Sequence, residues 1–146
     1  DLLVDSVAAS ALYPKPLIVA DMGTATTLTV VNDKNTIIGG AILPGVRTSL
    51  NALTANAAQL QQISIEPPKK AIGSNTIDCM KSGAVLGNAS MLDGMIDRFN
   101  EELGMECFVV ATGGLSEVIS QHTKHKIVYN PNLLLEGLYI LYKKNI

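Results

Sequence analysis

Three short apolar runs in the first third of the chain predict an antiparallel β-meander. Residues 17–20, 26–31 and 36–42 are rich in aliphatic and β-branched side chains, which favour strands. A polar turn at residues 32–35 separates the second run from the third, as expected of a hairpin connection. Before the meander, residues 6–13 consist mainly of alanine and aliphatic residues and predict a short helix.

The remaining sequence predicts helices that alternate with strands. Apolar residues recur at helical spacing over residues 46–57 and again over a long stretch from Thr76 to Leu103, for which Ser74 or Asn75 is the expected cap. Apolar runs at 107–111 and 126–129 predict two further strands, each followed by a helix, over 115–121 and 131–143. A meander followed by alternating helices and strands indicates a mixed α/β sheet.

Composition and charge narrow the class of protein. The chain has 146 residues, of which 47% are hydrophobic and 16% charged, with a formal net charge of −2; this fits one folded domain and excludes a disordered chain. Such a balance offers no basic field for nucleic acid, and no apolar run approaches the roughly 20 residues that span a bilayer. The first residues lack the basic region of a signal peptide. We therefore expect a cytoplasmic protein without nucleic-acid or membrane partners.

The cysteines and histidines give little sign of chemistry. Cys79 and Cys107 have no C-x-x-C partner and lie within apolar stretches, so we expect buried free thiols, with a disulfide or a metal role as the alternative. His122 and His125 lie in a polar, lysine-flanked turn, and we expect them at the surface.

The segment with the clearest functional pattern is Asp-Met-Gly-Thr-Ala-Thr-Thr at residues 21–27, which places a carboxylate, a glycine and hydroxyls at the turn between two strands. A tight turn at Gly23 lets backbone N–H groups converge on phosphate oxygens, while Asp21 can bind a cation that offsets the phosphate charge. The alternative is a plain β-hairpin. Neither a Walker P-loop nor a G-x-G-x-x-G motif occurs in the sequence, so those nucleotide folds are set aside.

A second glycine element, Gly113-Gly114, lies between a predicted buried strand and a predicted helix. The N–H groups at a helix start can meet a nucleotide, and the absence of side chains leaves room for its ribose or base. A simple turn is the alternative interpretation.

Five segments in order resemble the type III pantothenate kinase family. They lie at residues 21–27, 39–45, 72–76, 112–115 and 133–138. The resemblance implies a ribonuclease H-like α/β domain of the acetate and sugar kinase, Hsp70 and actin superfamily. It also implies that residues 1–146 form a single C-terminal lobe with part of the interlobe helix, and that the N-terminal lobe, with its D-x-G-N-T phosphate loop, is absent from this chain.

The activity implied by this resemblance is ATP-dependent phosphorylation of pantothenate to 4′-phosphopantothenate, the first step towards coenzyme A. Mg²⁺ and a monovalent cation, K⁺ or NH₄⁺, are the implied cofactors besides ATP, and the implied assembly is a homodimer. Asp1 falls where the family's G-x-D-R motif has its catalytic aspartate, and Leu2 stands in place of the arginine. Both positions are expected to contact substrate, with Asp1 as the general base.

The resemblance assigns further roles in the two glycine loops and at the start of the long helix. Asp21 is the expected monovalent-cation ligand and Gly23 and Thr24 the expected ATP contacts. Thr76 is the expected contact to pantothenate, although a capping role at the helix start is the alternative. Gly113 and Gly114 are expected on the adenosine side of the nucleotide.

Two other functions remain open. A regulatory or accessory transcriptional protein with the same fold is the main alternative, and Leu2 in place of the arginine would suit lost catalysis. A kinase acting on a sugar or another acid is the third. Because kinases of this superfamily close two lobes around ATP, we expect these 146 residues alone to be inactive.

Overall fold

A five-stranded mixed sheet forms the centre of the protein, in a computed structural model that describes residues 2–145. The strand order is β3-β2-β1-β4-β5. The first three strands pair antiparallel, whereas β4 pairs parallel to β1 and to β5. The strands are β1 (Leu17–Met22), β2 (Ala25–Val31), β3 (Ile37–Pro44), β4 (Phe108–Thr112) and β5 (Val128–Tyr129).

Within the described residues, six α-helices and one π-helical segment surround the sheet. They are α1 (Leu2–Leu12), α2 (Val46–Asn56), α3 (Thr76–Lys81), the π segment (Ser82–Gly87), α4 (Asn88–Leu103), α5 (Ser116–Ser120) and α6 (Leu133–Lys144). In the described part of the chain, every helix is too short or too polar to cross a membrane.

The sheet has a hydrophobic core on each face, because successive side chains of a strand point to opposite sides. Ile18 and Ala20 of β1 belong to the larger core, which α2, the π segment, α4 and α5 complete. Leu17 and Val19 belong to the smaller core with α1 and α6. Since Asp21 follows Val19 by two residues, its side chain lies on the face that α1 covers.

The predicted meander and the alternation of helices and strands are confirmed. The boundaries differ where tertiary contacts decide them. Helix α1 begins at Leu2 rather than at residue 6, and β5 has two residues rather than four. The predicted long helix runs from α3 to α4, but its backbone widens into the π segment around Gly83 and Gly87. A side chain at either glycine would meet open space, so the glycines are not required by packing.

Gly40 of β3 lies very close to the backbone of β2. A Cβ atom at Gly40 would overlap the carbonyl oxygen of Leu28 on the neighbouring strand. Only glycine fits this site in β3 without moving β2.

The prediction that both cysteines are buried is wrong. Both are free thiols, but Cys79 is exposed and Cys107 only half-buried. Cys79 lies on α3 next to Met80, and Met80 is the residue that packs into the core. The Sγ of Cys79 donates to the carbonyl oxygen of Gly73 at 3.4 Å. Burial raises the pKa of the Cys107 thiol, and the negative charge of the nearby Glu106 adds a smaller effect in the same direction.

His125 has an acidic partner that the sequence did not reveal. Its Nε2 lies 2.6 Å from an Asp97 carboxylate oxygen, and Asp93 accepts the backbone N–H groups of Lys124 and His125 at 2.8 and 3.0 Å. Asp93 and Asp97 on the exposed side of α4 therefore hold the loop before β5 in place.

Candidate active site

Three oxygen-bearing side chains lie side by side where β1 ends. Asp21 of β1 is in register with Thr27 of β2 and with Thr112 of β4, so the three occupy adjacent strands on the same face. β1 and β4 are parallel, and their carboxyl ends meet at the same edge. Ligands of open α/β sheets bind outside such an edge, so this is where we place the candidate site.

The turn between β1 and β2 is anchored from behind and exposed at its tip. The N–H of Gly23 donates to the carbonyl oxygen of Ala25 at 3.1 Å, and the N–H of Gly45 donates to that of Thr24 at 3.1 Å. The hydroxyl of Thr48 donates to the same Thr24 oxygen at 2.9 Å. The start of α2 thus holds the turn in place, while Gly23 and Thr24 face solvent.

The second glycine loop lies directly against the first. Gly113 has a φ of +103°, and a Cβ there would stand 2.6 Å from the carbonyl oxygen of Met22. Its own carbonyl oxygen accepts the hydroxyl of Ser116 at 2.8 Å, which ties the loop to α5. Gly114 next to it is exposed. The structure therefore brings together the two loops that the sequence singled out separately.

A fourth residue, Asp5, was missed by the sequence analysis. It lies one helical turn before Ala8 and Ala9, on the face of α1 that packs against the sheet. Its side chain is 1% exposed. Burial raises the pKa of Asp5 to about 7, and a hydrogen bond with Asp21 and repulsion by that carboxylate add to the effect. Within residues 2–145, no donor other than a proton shared with Asp21 serves the oxygens of Asp5.

A signal for Asp5 was present in the sequence. A single carboxylate at helical spacing from two core alanines indicates a buried acid. The predicted helix begins at residue 6, which leaves Asp5 outside it.

The model of one protein family, described as type III pantothenate kinase, matches residues 1–98. That is about two thirds of the chain. The chain belongs to the type III pantothenate kinase family. The matched region includes Asp5, the turn at Asp21 and Thr76, whereas the Gly113 loop lies beyond it.

Solved structures with the same fold come from several kinds of protein. A putative Baf family transcriptional activator from Campylobacter jejuni superposes with a TM-score of 0.72 at 19% identity, over 97% of this chain and 64% of that one. The Alp12 filament subunit gives 0.61 at 14% identity, over 97% and 53%. The ethanolamine utilization protein EutJ from Carboxydothermus hydrogenoformans gives 0.54 at 20% identity, over 92% and 50%.

These likenesses establish the fold of the chain, which is the one that the family resemblance implied. At such identities they carry no information on activity. The chain spans 64% of the length of the Campylobacter jejuni structure.

The other site residues predicted from the family lie elsewhere or outside the described part. Asp1 and the side chain of Leu2 are not described, so their roles stay predictions. Thr76 is the exposed first residue of α3 and lines a cavity of about 510 Å³ with Leu53, Leu60 and Met80. Asp21 is not among the lining residues of that cavity.

The capping alternative for Thr76 is not borne out by the geometry of α3. Asn75 is the cap: its side-chain oxygen accepts the N–H of Asp78 at 2.9 Å. The hydroxyl of Thr76 is therefore not required for the helix start.

The donor set beside Asp21 fits a hard cation of the kind that the family implies. Carboxylate and hydroxyl oxygens are the ligands that Mg²⁺ and similar ions prefer, and the oxygens of Asp5 are buried without a donor. Within residues 2–145, no three His, Cys, Asp or Glu side chains converge on one point. Further ligands would have to be hydroxyls, water or phosphate oxygens.

Proposed function

We propose that the intact protein phosphorylates pantothenate with ATP, giving 4′-phosphopantothenate and ADP, the first step towards coenzyme A. The observation that carries this proposal is the contact between the turn at Gly23 and the loop at Gly113, at the carboxyl edge of the sheet and beside two carboxylates. Membership of the type III pantothenate kinase family supports the choice of substrate.

In this proposal the two loops position the nucleotide. The backbone of Gly23 and the hydroxyl of Thr24 bind phosphate oxygens, and Gly113 and Gly114 lie along the adenosine. Asp21 would hold a cation, K⁺ or NH₄⁺ as the family implies; Mg²⁺, when bound with ATP, offsets the charge of the phosphates.

The transfer step needs one base. Asp1 accepts the proton of the pantothenate hydroxyl as that oxygen forms a bond to the γ-phosphorus. The bond from the γ-phosphorus to the bridging oxygen breaks, and ADP leaves with the electron pair. Thr76 contacts pantothenate, and its cavity, with the aliphatic residues Leu53, Leu60 and Met80, suits an uncharged part of that substrate.

We also propose that activity requires a second lobe. Superfamily kinases bind ATP between two lobes, and the Campylobacter jejuni structure is longer than this chain. The 146 residues would then supply one wall of the cleft.

The assay compares the intact protein with residues 1–146 alone and measures 4′-phosphopantothenate by mass spectrometry. We expect product from the intact protein only. Asp1→Asn should lower kcat by about 10²-fold or more, the usual range for a general base, whereas Asp33→Asn in the exposed turn before β3 should not. Product formation by the short chain alone would overturn the two-lobe proposal, and full activity of Asp1→Asn would overturn the role of Asp1.

A regulatory function is the second candidate. Leu2 stands where the family has an arginine, and the Campylobacter jejuni relative carries the printed description of a transcriptional activator. Under this alternative the intact protein binds ATP but forms no phosphorylated product from pantothenate or from a panel of sugars and acids.

We further propose a homodimer, which the family resemblance implies. The edge strand β3 supports it, because the strand has no charged residue and its Ile37, Ile38 and Ile42 are 44%, 50% and 75% exposed. An uncharged apolar edge favours pairing with another chain. Light scattering should give a dimer, and Ile42→Lys should shift it to monomer; a monomer at every concentration would contradict the proposal.

A further inference from the structure

We propose that Thr48 of α2 is a positioning residue for the nucleotide, which acts by fixing the peptide group of Thr24 at the tip of the turn between β1 and β2. The inference rests on the proposed function, because it takes this turn as the site of the ATP phosphates. In this arrangement Thr48 touches no substrate and acts only through the backbone of Thr24.

The first argument is the number of donors that reach one carbonyl oxygen. The Thr24 oxygen accepts the hydroxyl of Thr48 at 2.9 Å and the N–H of Gly45 at 3.1 Å. A Cβ atom at Gly45 would overlap the same oxygen, so α2 starts as close to the turn as the backbone allows. Gly23, Thr24 and Ala25 are exposed, and an exposed loop tip is normally mobile. Two donors from one helix start therefore restrain a peptide group that would otherwise change its orientation.

The second argument is that α2 is itself fixed in the core. Val46 and Leu50, two residues before and after Thr48, are 2% and 6% exposed and belong to the larger hydrophobic core. Residues four apart lie on the same face of a helix. That face holds α2 against the sheet, while Thr48 lies on the exposed side. The helix therefore restrains the turn without moving with it.

The third argument is the direction of the groups that remain for a ligand. Because the Thr24 oxygen points towards α2, the N–H of Ala25 in the same trans peptide group points away from α2. Within residues 2–145, the N–H of Thr24 donates to no backbone oxygen. Backbone N–H groups of a turn are the donors that bind phosphate oxygens. The hydrogen bond from Thr48 thus sets the direction of these donors.

Thr48→Val tests the inference, since valine has a similar shape but no hydroxyl. Calorimetric titration of the intact protein with ATP and Mg²⁺ should show about threefold to tenfold weaker binding, the loss expected for one hydrogen bond. Thr48→Ser retains the hydroxyl and should bind ATP as the unaltered protein does. The control Ser49→Ala, at the exposed neighbouring position, should also bind ATP normally.

A second readout separates positioning from a general loss of stability. Without ATP, hydrogen exchange over residues 21–27 should be faster in Thr48→Val than in the unaltered protein, while exchange over α4 should not change. In turnover measurements the KM for ATP should rise and the KM for pantothenate should not.

The possible results distinguish this inference from the proposed reaction. Unchanged ATP binding in Thr48→Val, unchanged exchange at the turn, or equal losses in Thr48→Val and Ser49→Ala would overturn the inference. An intact protein that does not bind ATP would overturn it together with the proposed function. ATP binding that depends on Thr48, in a protein that forms no 4′-phosphopantothenate, would support the inference and count against the proposed reaction alone.

Discussion

Asp5 differs from an ordinary surface acid because its carboxyl group is buried beside a second carboxylate. Helix α1 carries it under the sheet, next to Asp21, and the protonated form is favoured there. Because its pKa is raised to about 7 from about 3.9 in an unfolded chain, the unfolded state binds fewer protons between about pH 4 and pH 7. Stability from this residue is therefore present at low pH and lost as the pH rises through that window.

Asp5→Asn should remove this pH dependence. The free energy of unfolding is measured with urea at pH 5 and pH 8, with a chelator present. Relative to the unaltered protein, Asp5→Asn should be more stable at pH 8 than at pH 5. The control Asp33→Asn, in an exposed turn, should have the same free energy of unfolding as the unaltered protein at both pH values. The same difference at pH 5 and pH 8 would show that Asp5 does not titrate in this window.

Gly113 and Gly114 form a matched pair for the contact between the two loops. Alanine at position 113 needs a positive φ and places its Cβ 2.6 Å from the Met22 carbonyl oxygen, whereas alanine at 114 meets open space. We expect Gly113→Ala to lower the free energy of unfolding by about 1–3 kcal/mol and Gly114→Ala to change it by no more than about 0.5 kcal/mol. Chemical denaturation measures both. Equal effects would mean that the loops are not in contact as described.

The residues predicted correctly from the sequence are those whose role depends on near neighbours. The turn at Gly23 was predicted because carboxylate, glycine and threonines stand together, and Asn75 because a cap is a local pattern. Asp5 was missed and Cys79 was placed wrongly because their burial depends on how α1 and α3 dock on other elements. No local pattern encodes the docking of a helix on a sheet.

Among the elements, the strands of the meander and the long helix were predicted and their ends were not. β-Branched runs and helical spacing identify the element, but its last residues are held by contacts distant in sequence. Helix α1 gains its first turn because Asp5, Ala8 and Ala9 face the sheet together. The π segment has no sequence signal beyond the glycines at 83 and 87.

The crossing of α1 and α6 depends on one glycine. A Cβ at Gly137 would overlap the Val4 carbonyl oxygen, whereas one at the exposed Gly94 of α4 would meet nothing. Gly137→Ala should destabilise the protein by about 1–2 kcal/mol, despite the better helix propensity of alanine. Gly94→Ala should stabilise it by up to about 1 kcal/mol. Thermal unfolding compares the two, and stabilisation by both would rule out the close crossing.

For the whole molecule, the strand order decides where chemistry can occur. β1 and β4 are distant in sequence and adjacent in the sheet, which brings the turn at Gly23 against Gly113. The meander and the alternation predicted the mixed α/β sheet, and the family resemblance implied the rest of the fold. The sequence did not predict that Asp5 and Asp21 lie together beneath this edge. That prediction requires knowing how α1 packs against the end of β1.

The central claim is that the two glycine loops bind the nucleotide. Hydrogen exchange measured by mass spectrometry on the intact protein, with and without ATP and Mg²⁺, tests it most directly. We predict slower exchange at residues 21–27 and 112–116 on addition of ATP, with no change over α6. Unchanged exchange at both loops under saturating ATP, or protection confined to other segments, would contradict the account.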